Sequence, residues 1–245
     1  MILKTMIKFT LLAASVIMLS CAPRTSSSSE SQSSETETTA PMLVALSFDD
    51  GPNNDTTPEV LDILEEHKVP ASFFVIGQNI NESTAKQMTR AISLGCEIQN
   101  HSLTHTFMTQ LSPEQIADEV RRTDELIEQY TGIRPWLFRP PYIDHNESMH
   151  QTIGHTFICG VGCLDWEAER SAQQRFDDLM SQVKDGDIIL LHDFSGNVNT
   201  VEALKMIIPE LKKRGYALVT VSQLYEMKGI KPAAHNGIIY SNVLQ

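Results

Sequence analysis

Two histidines and a pair of adjacent aspartates are the residues whose types and spacing could do chemistry. His101 and His105 are four residues apart, so on one helical turn both imidazoles share a face and can bind one metal ion. One aspartate would supply a third ligand, and the adjacent carboxylates of Asp49 and Asp50 repel each other unless a cation or different surroundings separate them. Nitrogen and oxygen donors suit Zn²⁺, and also Co²⁺, Ni²⁺ or Mn²⁺. The spacing therefore predicts a catalytic metal site with an open position for water.

Three further charged residues could take part in proton transfer. His192 ends a buried apolar run, and a histidine that titrates near neutral pH can protonate a leaving group. Arg139 and Asp165 could each pair with a catalytic group and tune its pKa. Each of these signals also has a structural alternative when it is taken alone. His192 could be a hydrogen-bonded core histidine, and Arg139 and Asp165 could each belong to a structural ion pair. Residues 49–52 could form a surface turn.

The elements that must position these residues alternate between strands and helices. Short apolar runs predict strands at 42–48, 71–76, 97–99, 137–138, 155–161, 187–191 and 217–221. Amphipathic segments predict helices at 57–68, 83–94, 113–130, 172–184, 201–213 and 222–228. This alternation predicts an α/β fold, a distorted (β/α) barrel of about seven parallel strands. In barrels the chemistry lies at the C-terminal ends of the strands, where all these charged residues fall.

Five motifs, taken in chain order, resemble those of the polysaccharide deacetylases of carbohydrate esterase family 4, the NodB-like domain. They are residues 47–52 (SFDDGP), 101–105 (HSLTH), 139–142 (RPPY), 165–166 (DW) and 190–192 (LLH). The resemblance extends over about residues 42–229. It implies a hydrolase that uses one divalent metal ion to remove acetyl groups from a carbohydrate polymer. Zn²⁺ is the expected ion, and Co²⁺, Ni²⁺ and Mn²⁺ are the alternatives.

The resemblance also implies roles for the charged residues. Asp49 is the expected general base, oriented and tuned by Arg139. His192 is the expected general acid, tuned by Asp165. The expected metal ligands are Asp50, His101 and His105.

The groove residues follow from the same resemblance. The backbone N–H of Tyr142 is expected to help hold the oxyanion, and Trp166 and Leu190 to line the groove and the acetyl pocket. The third motif usually continues with glycine where this chain has Ile143, and the fourth usually carries an aspartate where it has Gly162. Both departures lie at the groove, so they bear on substrate choice more than on the reaction.

The substrate is the least determined property. Residues 186–193, 200–230 and 238–245 resemble acetylxylan esterases of the same family, which favours O-acetyl xylan. The wider family mostly removes N-acetyl groups from N-acetylglucosamine polymers, peptidoglycan or chitin, and this stays the alternative because the same chemistry attacks esters and amides. A more remote alternative is a non-catalytic carbohydrate-binding lipoprotein, which the complete set of motif residues argues against.

The N-terminal segment predicts export and anchoring. Its start resembles a bacterial lipoprotein signal with Cys21 as the lipidation site, the alternative being ordinary signal cleavage with an incidental cysteine. The predicted segments are a lipoprotein signal peptide (1–20), a Ser/Thr-rich flexible tether (21–41), the catalytic domain (42–229) and a C-terminal tail (230–245). We expect a membrane-anchored lipoprotein outside the cytoplasm of a bacterium.

The charge of the chain limits its partners. The formal net charge is −12 and the isoelectric point is about 5.0, which excludes nucleic acid as a partner because phosphate binding needs clustered lysine and arginine. A neutral polymer fits this charge better. The family resemblance and the tether predict a monomer.

Overall fold

The computed structural model describes residues 41–245. The predicted signal peptide, Cys21 and nearly all of the predicted tether lie outside the described residues. The strands are β1 (Met42–Asp49), β2 (Ser72–Val75), β3 (Glu97–Asn100), β4 (Leu137–Phe138), β5 (Thr156–Ile158), β6 (Ile188–His192), β7 (Tyr216–Val219) and β8 (Ile239–Tyr240). The helices are α1 (Thr56–His67), α2 (Ala85–Ser93), α3 (Pro113–Thr131), α4 (Glu147–Thr152), α5 (Ala172–Gln182), α6 (Val198–Lys213) and α7 (Val221–Met227).

The strands form one curled parallel sheet in the order β6-β1-β2-β3-β4-β5-β8, and β7 pairs with β1. β6 pairs with residues 45–49 of β1 and β7 pairs with residues 42–45. Ala45 is in register with both Ile188 and Val219, so β6 and β7 lie on opposite edges of β1, and β7 shares its edge with β2. The predicted distorted barrel of about seven parallel strands is confirmed, with β1 to β7 at the predicted places. Among the described helices, none is both long and apolar enough to span a membrane.

The alternation of side chains along β1 determines what faces the barrel interior. Leu43 and Ala45 pack in the small apolar cluster that includes Phe74 and Ile188. The even-numbered residues of β1 pack in the larger cluster with residues of the helices; they are Val44, Leu46 and Phe48. Successive side chains of a strand point to opposite faces. The side chain of Asp49, six residues after Leu43, therefore points to the interior at the C-terminal end of the strand.

The helices begin and end where their sequence signals lie. Ser112 caps α3: its hydroxyl accepts the backbone N–H of Gln115, whose side chain accepts the backbone N–H of Ser112. Gly132 ends the helix in the left-handed conformation at φ 72°. The helix packs against β3, and the two histidines lie in the turn that follows β3.

The segment 230–245 is part of the sheet. Ile239–Tyr240 form β8 beside β5, and the backbone N–H of Ile188 donates to the carbonyl of Ser241 at 3.0 Å. Residues 239–242 therefore pair with β5 on one side and with the start of β6 on the other. Tyr240 and Val243 are buried in the interior cluster.

Candidate active site

The C-terminal ends of five strands bring the predicted site residues to one rim of the barrel. Asp49 at the end of β1 lies directly opposite His192 at the end of β6. The turns after β3 and β4 contribute the two histidines and Arg139. Residues separated by more than 140 positions in the chain therefore meet because their strands are neighbours and parallel.

The three predicted ligands converge on one point. The Nε2 atoms of His101 and His105 lie 3.4 Å and 3.3 Å from the same carboxylate oxygen, Oδ1 of Asp50. One ligand atom from each residue lies within 4.8 Å of the other two. Asp50 reaches this position through a left-handed backbone, φ 77°, which turns its side chain away from that of its neighbour Asp49.

These three residues fit a divalent metal ion. Oδ1 of Asp50 is buried and has no hydrogen-bond partner among the described residues, as expected for an atom that binds a cation. The carbonyl of Arg139 accepts the Nδ1 proton of His101 at 2.6 Å, which leaves Nε2 free as a ligand. Burial lowers the pKa of His105, which favours the neutral imidazole that a metal requires.

Arg139 binds one carboxylate oxygen of Asp49, and no other described residue makes a hydrogen bond to the second oxygen. Nη1 of Arg139 donates to Oδ1 of Asp49 at 2.5 Å, and Oδ2 lies 3.7 Å from Nε2 of His101. Arg139 is itself fully buried, donating to Ser47 and to the carbonyl of Cys159, with its guanidinium 4.1 Å from the ring centroid of Phe74. A buried charge pair with this many contacts has little freedom, so the free oxygen of Asp49 is fixed beside the metal ligands.

His192 is held in one orientation by Asp165. Its backbone N–H and its Nδ1 approach the two oxygens of the Asp165 carboxylate at 2.7 Å and 2.8 Å. Burial alone would lower the pKa of His192, but the hydrogen bond and charge of Asp165 outweigh burial and raise the pKa to about 9. His192 is therefore protonated at neutral pH and can donate a proton from its other ring nitrogen.

A cavity of about 520 Å³ opens over these groups and includes the predicted groove residues Tyr142, Trp166 and Leu190. Trp166 is half exposed, and its ring centroid lies 5.5 Å from that of His192. We call this space the acetyl cavity. Ile143 lines it as well, at φ 55°, a left-handed conformation that favours glycine and is strained for a β-branched residue. The glycine expected at this position is explained by that backbone.

The support of Asp165 could not be predicted from the motifs. Thr200 on α6 donates to Oδ2 of Asp165 at 2.8 Å, and the buried Arg175 on α5 donates to Thr200 and to Asn197 at 2.7 Å and 2.6 Å. The signal in the sequence is too weak to find these residues, because each is an ordinary polar residue in or beside an amphipathic helix. Their role depends on how α5 and α6 pack against the strand ends.

Asp193 is a second residue that sequence reasoning missed. It is completely buried, and burial raises its pKa to about 7 even though it accepts a hydrogen bond from Thr57 at 2.5 Å. A Cβ atom on Gly51 would lie 2.7 Å from Oδ2 of Asp193, which explains why glycine follows the two aspartates. Asp193 thus supports the turn that carries Asp49 and Asp50.

Comparison with known proteins agrees with this geometry. The profile of the family described as Polysaccharide deacetylase matches residues 36–156. The Xyl-CE4 domain of a multidomain xylanase from the hindgut metagenome of Trinervitermes trinervoides is 47% identical, and the match covers 84% of this chain and 99% of that one with a TM-score of 0.82. The chain belongs to the polysaccharide deacetylase family. It is therefore a hydrolase that acts on acetylated carbohydrates.

Two further relatives of this deacetylase inform its chemistry. A family 4 acetyl xylan esterase from Clostridium thermocellum, solved in complex with a cobalt ion, is 40% identical, covering 83% of this chain and 100% of that one with a TM-score of 0.81. A bifunctional xylanase/deacetylase of Pseudobutyrivibrio xylanivorans is 48% identical over 89% of this chain, which spans 36% of that relative's length. Several peptidoglycan deacetylases match at 32–37% identity.

Proposed function

We propose that this deacetylase removes O-acetyl groups from xylan with the help of one divalent metal ion. One observation supports this reaction: three side chains suited to bind a metal ion share a cavity with two groups suited to proton transfer. The two groups are a carboxylate paired with an arginine and a histidine paired with an aspartate. The preference for xylan is supported by identity. Among the relatives whose names refer to xylan or xylanase, three are 40–48% identical and one is 34% identical, against 29–37% for the peptidoglycan deacetylases.

The metal ion is held by the Asp50, His101 and His105 side chains in this proposal. The donor set suits Zn²⁺ first, with Co²⁺, Ni²⁺ and Mn²⁺ as alternatives. When bound, such an ion polarises the acetyl carbonyl and makes a neighbouring water more acidic.

The proton transfers fall to two side chains that face the acetyl cavity. The Oδ2 atom of Asp49 accepts a proton from the water whose oxygen attacks the acetyl carbon. The backbone N–H of Tyr142 donates to the oxyanion that forms. As the bond between the acetyl carbon and the sugar oxygen breaks, His192 donates its proton to that oxygen, and Asp165 keeps its ring in place.

A side-by-side assay tests the reaction and the substrate. Acetate release by the purified protein is measured on acetylated xylan and on an oligomer of N-acetylglucosamine, with Zn²⁺ or Co²⁺ present. We expect faster release from acetylated xylan. Release from neither substrate by a protein that has bound metal would contradict the proposed function.

Removal of N-acetyl groups from an N-acetylglucosamine polymer is the second candidate. The observation that favours it is the match to peptidoglycan deacetylases over about three quarters of this chain. Faster acetate release from the N-acetylglucosamine oligomer would replace the proposed substrate while leaving the residue roles intact.

We propose separately that Cys21 carries a lipid which anchors a monomeric enzyme to a bacterial membrane outside the cytoplasm. The support is the sequence pattern alone: a short apolar stretch, a small residue before the cysteine, and a polar tether after it. Cys21→Ser should move the protein from the membrane fraction to the soluble fraction. An unchanged distribution between the two fractions would contradict the anchor.

A further inference from the structure

A second cavity, of about 660 Å³, adjoins the metal ligands and is distinct from the acetyl cavity. The two cavities have only Asp50 and His105 in common. We call the second one the amide cavity, after the residues that line it. The loops that follow β1, β2 and β6 form its walls, so a polymer placed with one acetyl group at the metal site has a second concave surface beside it.

The lining of the amide cavity suits hydroxyl groups. Five amide side chains line it: Asn53, Asn54, Gln78, Asn79 and Asn81. Amides both donate and accept hydrogen bonds, as sugar hydroxyls do. Phe194 adds an apolar ring, and its centroid lies 6.2 Å from that of His192. In ligand sites, well-placed polar groups fix the orientation of the ligand, and the amide side chains could do so for a hydroxylated ligand here.

Two of the lining side chains are available to a ligand. Gln78 is exposed, and within the described chain its side chain makes no hydrogen bond, whereas Asn53 and Asn79 hold the surrounding loops together. The backbone N–H of Gln78 donates to the carbonyl of Leu103, which fixes the residue next to the histidine turn. Phe194 is partly exposed. Their positions are therefore set by the fold while their side chains remain free.

We propose that the amide cavity binds a sugar ring of the polymer, next to the ring whose acetyl group is removed. This inference rests on the proposed function for the presence of a polysaccharide. Gln78 would hydrogen-bond a ring hydroxyl and Phe194 would pack on the apolar face of the ring.

Substitutions of the two free side chains test the subsite. Gln78→Ala and Phe194→Leu are compared with Gln173→Ala, a matched change of an exposed glutamine on α5, outside both cavities. For each protein, kcat/KM is measured on a neutral acetylated xylo-oligosaccharide and on a small acetyl ester without a sugar. We expect the ratio of the two values to fall roughly three- to tenfold in the first two variants, through KM, as for the loss of one contact. Gln173→Ala should keep the wild-type ratio.

The two proposals fail in different ways. Wild-type protein that releases no acetate from any substrate contradicts the proposed function. Active wild-type protein with unchanged ratios in Gln78→Ala and Phe194→Leu contradicts the subsite alone.

Discussion

Asp49 and Asp50 are neighbours in the chain, but their side chains have different partners. Asp49 is 2% exposed and paired with Arg139, whereas an oxygen of Asp50 faces two imidazoles. The left-handed backbone at Asp50 separates them. Two adjacent carboxylates can therefore take different roles, one bound to the metal and the other available for proton transfer.

Substitution of Asp49 separates these roles. Asp49→Asn keeps the shape of the side chain and removes its ability to accept the proton, so we expect kcat to fall by roughly 10²- to 10⁴-fold. Metal content, measured by elemental analysis, should stay at the wild-type value.

His101→Ala is the matched variant, because it removes a ligand and should lose metal and activity together. Wild-type activity in Asp49→Asn would contradict the assignment of the base.

The His192–Asp165 pair predicts the alkaline limit of activity. With a pKa of about 9, His192 keeps its proton through neutral pH, so kcat/KM should fall as the pH rises through about 9. In Asp165→Asn, burial is no longer opposed by the carboxylate, and the alkaline limb should move to lower pH. The measurement is the pH profile of kcat/KM on a small acetyl ester, corrected for spontaneous hydrolysis.

The same pair affects stability with a defined sign. The pKa of His192 is higher in the folded protein than its ordinary value of 6.5, so protonation stabilises the fold. This contribution is fully present below about pH 6.5 and is lost as the pH rises through about 9. An alkaline limb at the same pH in Asp165→Asn and wild type would contradict the role of the pair.

At the scale of elements, the seven strands of the predicted barrel could be read from apolar runs, but β8 and α4 could not. Buried parallel strands such as β6 are continuous apolar runs, which are distinctive in a sequence. Only two residues of β8 pair in the sheet, and the six-residue helix α4 is too short to show a periodicity. Both are fixed by contacts with the rest of the fold.

The stability of the C-terminal segment tests whether β8 belongs to the folded unit. Tyr240 is 7% exposed in the interior cluster, so Tyr240→Ala should lower the free energy of unfolding by roughly 3–5 kcal/mol, as for other buried aromatic residues. Urea denaturation followed by fluorescence measures the change.

Leu244→Ala is the control, because Leu244 is 54% exposed and should change stability by less than about 0.5 kcal/mol. If Tyr240→Ala unfolds at the same urea concentration as wild type, the segment does not contribute to the core.

The site as a whole was predictable only in part, for a physical reason. The strand-end residues lie in short motifs, so Asp50, His101 and His105 could be named as ligands before the fold was known. Thr200 and Arg175, which support Asp165, lie on helices far along the chain, and the amide cavity is enclosed by three separate loops. Such features depend on packing over long sequence distances, which local patterns do not encode.

The charge of the whole molecule agrees with a neutral substrate. The formal net charge is −12. Acidic polymers are therefore repelled at long range. Neutral acetylated xylan does not meet this repulsion.

The central claim is that one metal ion, bound by Asp50, His101 and His105, is required for acetate release. The most direct test removes metal from the purified protein with a chelator, then adds Zn²⁺ in steps while acetate release from acetylated xylan and bound metal are both measured. The account predicts no acetate release without metal, and a rate of release that increases until about one ion is bound per chain. Undiminished release by the metal-free protein would contradict it.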